Sequence, residues 1–186
     1  MLKLYFVSSN EEKFREIRLA LDGSAVEVER IALDLPELQS LVPAEVAAYK
    51  ARKAYEKVQH GLILVEDTGL AVHAWSGFPG ALIKWVLATI GEAGMCRQLD
   101  AWDDRRATAT VALCVADGTE IHTFIGQSEG RITHEPRGTW GFGWDSIFQP
   151  DGYSTTYGEM QRDDKMKISM RGRALDGLKI FLQGKA

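Results

Sequence analysis

The stretch that most constrains this chain is Leu62-Ile63-Leu64-Val65-Glu66-Asp67-Thr68-Gly69-Leu70, where four large aliphatic residues run straight into two adjacent carboxylates. Bounded by His60-Gly61 and Thr68-Gly69, the apolar run has the length of a core strand. The expected arrangement is a buried strand over Leu62–Val65 that ends in a Gly-containing turn. Glu66 and Asp67 would then stand at its carboxyl end, where open α/β sheets place their ligands. Asp before Thr-Gly is also ordinary turn chemistry. Taken alone, the stretch leaves both readings open, a polar strand cap and a functional pair.

The flanking segments predict the rest of an α/β unit. Leu2–Val7 reads as a strand and Glu11–Leu21 as a helix, with Phe14, Ile17 and Leu21 at helical spacing and Asn10 as N-cap. Ser8-Ser9-Asn10 thus gathers hydroxyls, an amide and free N–H groups at a helix N-terminus, with Lys13 in the first turn, an arrangement that binds phosphate readily. A capped helix with an exposed lysine fits the same residues. Val26–Ile31 is a second strand, and Leu33–Gln39, with Pro36 and Glu37, a loop. Pro43–Gln59 is a helix whose Ala47, Ala51, Ala54 and Val58 form an apolar stripe, with Lys50 beside it as a snorkelling side chain or a ligand group.

Further on, Ala81–Thr89 reads as a helix closed by Gly91, with a short helix over Glu92–Leu99. Ala107–Ala116 and Glu120–Gly126 read as strands around Asp117-Gly118, a strong hairpin signal. An antiparallel pair here and helix-linked strands before it predict a mixed sheet. In Gly138–Asp145, Phe142 and Trp144 flank a glycine and offer flat surfaces for a base, with Asp145 as acceptor; the other reading is an aromatic plug in the core. Ala174–Leu182 is the last helix, with Ser169 able to cap it. Arg171 near its N-terminal end opposes the helix dipole, which points to an anionic or carbonyl partner.

Composition excludes several classes. A length of 186 residues suits one domain, and no apolar run approaches the ~20 residues of a membrane span. The net charge of −4 gives no basic footprint for a nucleic-acid polymer. Cys96 and Cys114 are too far apart in sequence for a metal knuckle or redox pair and read as buried thiols. The brief apolar start is too short for a signal peptide, so a cytoplasmic location is expected.

Taken together, Ser8-Ser9-Asn10 with Lys13 and Glu16, Leu35-Pro36-Glu37, Lys50, Val65–Leu70, Gly77-Phe78-Pro79-Gly80, Phe142–Asp145, Tyr157-Gly158-Glu159-Met160, Lys165 and Ser169–Leu175 resemble the inosine triphosphate pyrophosphatase family over nearly the whole chain. The resemblance implies an elongated mixed sheet flanked by helices, two lobes with a nucleotide cleft between them, and a homodimer. It implies Mg²⁺-dependent hydrolysis of aberrant purine nucleoside triphosphates of the inosine and xanthosine type to monophosphate and pyrophosphate. Ser8, Asn10, Lys13 and Lys50 would hold the triphosphate. Glu37 and Asp67, with Glu66 nearby, would serve Mg²⁺ and water, Asp67 as the base. Phe142, Trp144, Asp145, Lys165, Ser169, Met170 and Arg171 would frame the purine. Two positions depart from the family pattern, which has glycine at Ser9 and histidine at Met170. The rival enzyme class is the Maf-type pyrophosphatase, whose Ser-Pro-Arg-Arg opening is absent; a nucleotide-binding protein without turnover is the rival outside enzymes.

Overall fold

The computed structural model describes residues 2–185. Strand β1 (Leu2–Val7) leads into helix α1 (Glu11–Ala20), then β2 (Val26–Ile31), α2 (Pro43–Val58), β3 (Leu62–Val72), the short β4 (Pro79–Gly80) and α3 (Ile83–Gln98). The chain closes with β5 (Arg106–Ala116), β6 (Ile121–Ile132), β7 (Phe148–Pro150), α4 (Arg162–Ile168) and α5 (Met170–Gln183). One mixed sheet runs in the order β2-β1-β3-β5-β6-β7, with β4 beside β3. The first three strands are parallel, as helix-linked strands must be when the connection crosses over. The later ones are antiparallel, and β5 and β6 meet around Asp117, whose carboxylate accepts from the N–H groups of Thr119 and Glu120.

The central strand is longer than the sequence suggested. It continues through Thr68-Gly69 to Val72 because β5 pairs with it antiparallel from Ile63↔Ala116 to Val72↔Ala107. Glu66 and Asp67 are therefore mid-strand residues, and Gly69 serves packing in place of a turn. A Cβ on Gly69 would lie 2.6 Å from Pro43 Cγ and 2.9 Å from the Gly80 carbonyl carbon, so only glycine lets the start of α2 and β4 come this close. Parallel pairing of β1 with β3 spans only Leu4↔Leu62 to Phe6↔Leu64. Beyond that the two strands part, and the carboxylates lie just past the split.

The sheet buries apolar residues on both faces. Alternate residues of a strand point to opposite sides. Leu62, Leu64, Leu70 and Val72 accordingly pack with Ile17 of α1, Met95 of α3 and Leu175 and Leu178 of α5. Ile63, Val65, Ala112 and Cys114 pack on the alanine stripe of α2, Ala47, Ala51 and Ala54. Cys96 and Cys114 are free and buried. Gly91, with φ 67°, breaks α3 where the sequence predicted two helices. One element was not foreseen and one boundary needs correction. Helix α4 had no apolar period to announce it, because Lys165 is its one buried side chain. Helix α5 starts four residues before Ala174, since Ser169 caps it by accepting from Gly172 N and the charge of Arg171 finds partners in the protein. Among the described residues no helix is long and apolar enough to cross a membrane.

Candidate active site at the split between β1 and β3

Strand alternation sends Glu66 and Asp67 to opposite faces of the sheet, although they are neighbours in sequence. Glu66 points to the side of α1 and α5. Its Oε1 and Oε2 accept from Arg171 Nη2 and Nε at 2.7 and 3.0 Å. Oε1 is also 3.0 Å from Lys13 Nζ and accepts from Thr68 Oγ1 at 2.9 Å. Arg171 Nη1 donates to Glu16 at 2.5 Å. Burial alone would raise the Glu66 pKa, but the charges of Arg171 and Lys13 and their hydrogen bonds outweigh it and hold the carboxyl well below the usual range. The anionic partner that Arg171 required is thus, first of all, this pair of protein carboxylates.

Asp67 points to α2. Its Oδ1 is 3.5 Å from Lys50 Nζ, which also donates to Glu66 O at 3.2 Å and to Glu37 Oε1 at 3.4 Å. The other oxygen, Oδ2, is buried with no hydrogen-bond partner among the described residues. Burial pushes the Asp67 pKa up to about 6; Lys50 and Lys13 oppose the rise, and Glu37 and Glu66 reinforce it. The lysine beside the alanine stripe does more than snorkel, because it draws the Glu37 loop and the Asp67 carboxylate to one point.

The N-terminus of α1 closes the gap between the faces. Asn10 Oδ1 accepts from Lys13 N, and Ser8 Oγ accepts from Asn10 N, both at 3.1 Å. Beside it lies a cavity of about 300 Å³ lined by Asn10, Lys13, Thr68, Phe142, Trp144, Asp145, Lys165, Met170 and Arg171, together with Ile83, Lys84 and Leu87 of α3. Lys165 Nζ donates to Asp145 Oδ2 at 2.6 Å and sits 5.2 and 5.6 Å from the ring centres of Phe142 and Tyr157. Asp145 Oδ2 also accepts from Phe142 N at 2.8 Å, which leaves Oδ1 as the oxygen without a donor among the described residues. Trp144 packs edge-on against Phe148 and offers the cavity only part of its ring.

Eight of the residues singled out from sequence therefore line one cavity. Ser8 lies at its α1 end, Ser169 caps α5 behind it, Glu66 lies buried at its base, and Lys50, Glu37 and Asp67 gather on the α2 side. Sequence reasoning missed Thr68, which touches both Lys13 Nζ and Glu66, and Lys84. Lys84 is the lining cation without a carboxylate partner among the described residues; its Nζ rests 5.6 Å from the Trp85 ring centre. Its place beside Phe78-Pro79-Gly80 was the available signal.

A model of the Ham1 family matches residues 4–181. The chain belongs to the Ham1 family. Among similar proteins, inosine triphosphate pyrophosphatase 2 of Trypanosoma cruzi is 43% identical over 179 residues, 95% of this chain and 90% of that one. The dITP/XTP pyrophosphatase of Methanopyrus kandleri is 41% identical over 177 residues, 94% of this chain and 93% of the other. The solved structure of a HAM1 protein from Coxiella burnetii superposes with a TM-score of 0.88 at 26% identity, covering 99% of this chain and 100% of that one. This Ham1-family chain carries its cavity beside the split of the sheet, lined by Lys13 of α1, Lys84 of α3, Lys165 of α4 and Arg171 of α5, with the Asp145 carboxylate against Lys165.

Proposed function

We propose that this protein hydrolyses deaminated purine nucleoside triphosphates, of the inosine and xanthosine type, to the monophosphate and pyrophosphate. Its Ham1-family relatives bear the names of such pyrophosphatases over nearly their full length. The single observation that carries the reaction type is Asp67: a carboxylate with one oxygen unpartnered and buried, and the other beside Lys50, is equipped to take a proton from water. That equipment argues against a nucleotide-binding protein without turnover.

In this reading Ser8, Asn10 and the N-terminus of α1, with Lys13, Lys50 and Lys84, hold the triphosphate, since aimed donors and cations stabilise charge on phosphoryl oxygens. Asp67 orients water and accepts its proton as the bond between the α and β phosphates breaks. Phe142 and Trp144 flank the purine, Asp145 Oδ1 accepts from a ring N–H, Lys165 and Arg171 donate to exocyclic oxygens, and Ser169 and Met170 shape the wall.

The oxygens fit a hard divalent cation in one place. Asp67 Oδ2 has no partner, and Glu37, 45% exposed, shares Lys50 with Asp67. Mg²⁺ held by Asp67 and Glu37 would supply charge neutralisation for the phosphates and a lowered pKa for water. Glu66, grouped with the metal ligands on sequence, has both oxygens engaged by Arg171, Lys13 and Thr68, and the reading gives it no metal. The homodimer that the resemblance implies belongs to the same proposal.

A panel of inosine, xanthosine, guanosine, adenosine, cytidine and uridine triphosphates, with monophosphate and pyrophosphate both quantified, tests the reading. Preference for the first two with equimolar products is expected. Release of orthophosphate, or equal rates on all six, overturns it.

A further inference from the structure

We infer that Glu66 is a positioning residue that couples the purine end of the cavity to its phosphate end. The inference rests on the nucleotide reading above and adds to it a link between the two halves of the substrate. Arg171, a wall of the purine pocket, has its guanidinium 5.4 Å from the Phe142 ring centre. Lys13 stands at the N-terminus of α1, 20% exposed, where it faces the phosphates. Both cations meet on one atom: Glu66 Oε1 accepts from Arg171 Nη2 at 2.7 Å and lies 3.0 Å from Lys13 Nζ. Thr68 Oγ1 donates to the same oxygen and accepts from Lys13 Nζ at 3.3 Å, closing a small ring of bonds.

An oxygen shared in this way cannot treat its donors independently. The Glu66 side chain is 1% exposed, so water does not make up for a donor that leaves, and the low dielectric of the site strengthens what remains. When a triphosphate draws Lys13 towards itself, Arg171 becomes the one cation left on Glu66 and is held harder in its bidentate pose. The guanidinium uses one N–H on each of its three nitrogens for Glu66 and Glu16, and the second N–H on Nη1 and on Nη2 remains for the purine. A firmly held fork presents those two in fixed directions. The link is reciprocal by thermodynamic necessity, so a purine that engages Arg171 favours the phosphate-ready pose of Lys13. An oxo-purine at one end is thereby felt at the other, more than a side chain's length away, and selectivity enters the grip on the phosphates as well as the pocket that reads the base.

The two halves can be probed separately without turnover. Tripolyphosphate and inosine are titrated by calorimetry into the full-length protein in metal-free buffer, each alone and each with the other present. Inosine is expected to tighten tripolyphosphate binding at least about fivefold, the low end of typical coupling. Glu66→Gln should bind both probes and lose the gain. Because that variant leaves Arg171 short of a charge partner, a second readout uses the unsubstituted protein: the Arg171 Nε–H resonance should shift as tripolyphosphate is added alone. Tripolyphosphate affinity that inosine leaves unmoved or weakens, a gain that survives in Glu66→Gln, or a stationary Arg171 resonance overturns the coupling. If the unsubstituted protein binds neither probe, the nucleotide reading itself falls, and the coupling with it.

Discussion

The two faces of β3 at residues 66 and 67 hold chemically similar acids in opposite states. On the α1 and α5 face, Glu66 is saturated with donors, held ionised, and buried beneath a cavity. On the α2 face, Asp67 keeps an oxygen without a partner and a pKa pushed up to about 6. One peptide unit separates them. What differs is supply: α5 and α1 deliver a guanidinium and an ammonium to Glu66, whereas α2 delivers to Asp67 a single lysine that is shared with Glu37. A carboxylate that is satisfied builds structure, and one left short can do chemistry.

The sharpest way to break this contrast is Asp67→Asn. It should lower kcat by about 10²–10⁴, the usual worth of a general base, while the melting temperature holds or rises. Pyrophosphate release and a thermal melt on the same sample check it, and near-normal turnover would make Asp67 a mere strand residue. Glu66→Ala should show the reverse bias. Removing one partner of a buried ion pair strands the other charge at a cost of about 3–5 kcal/mol, seen as a lower midpoint in urea before any kinetic assay.

The pH dependence of stability should differ in sign between the two acids. Asp67 has a folded pKa of about 6 against its ordinary 3.8, so the folded state binds more protons between those values. Its ionisation therefore costs stability at neutral pH, and the cost fades as pH falls through 6 towards 4. Glu66 has a depressed folded value, so its contribution is complete above the ordinary carboxylate range and is lost as pH falls below it. In metal-free buffer, Asp67→Asn should exceed the parent protein in stability at pH 7.5 by at most about 3 kcal/mol, two pKa units' worth, and the gap should close by about pH 4. Urea titrations across that range decide it; a gap that widens on acidification contradicts the assignment.

Much of this arrangement could be read from the sequence. Leu62–Val65 announced a buried strand, and Asn10 and Lys13 a capped helix end, because these signals are local. The continuation of β3 through Thr68-Gly69 could not be read so, because it is imposed by β5, some forty residues away. The pairing of Glu66 with Arg171 was hidden for the same reason, the two lying 105 positions apart. The sequence showed two carboxylates and an ill-placed arginine, and only the alternation of a strand longer than expected reveals which acid the arginine meets. Helix α4 escaped notice because it is one short segment whose apolar residues, Met166 and Ile168, are two apart and show no helical spacing.

Smaller effects sharpen the comparison further. Lys50→Ala and Lys13→Ala should each raise KM for inosine triphosphate about tenfold, the low end for a lost charge-assisted hydrogen bond at partly open sites. Lys50→Ala should also alter the Mg²⁺ response, because Glu37 and Asp67 lose their shared cation, whereas Lys13→Ala should leave that response alone; Mg²⁺ titrations of both variants separate the faces. The smallest change is expected from Met170→His. Met170 is 2% exposed on the cavity wall, and its thioether offers no N–H to a purine oxo group. A histidine there should raise the ratio of kcat/KM for inosine over adenosine triphosphate severalfold, and an unchanged ratio would show that the wall at Met170 does not read the base.

The split of the sheet carries a mechanical consequence. Strands β1 and β3 are stitched together over three residue pairs, Leu4 to Phe6 with Leu62 to Leu64, while β3 is joined to β5 along almost its whole length. The molecule thus has a short seam between a block made of β1, β2 and α1 and a block made of β5, β6 and α5, and the cavity opens where the stitching stops. In the proposed function, a ligand gripped by Asn10 and Lys13 on one block and by Asp145 and Lys165 on the other would span that seam as a brace does, and occupancy would stiffen the protein across it.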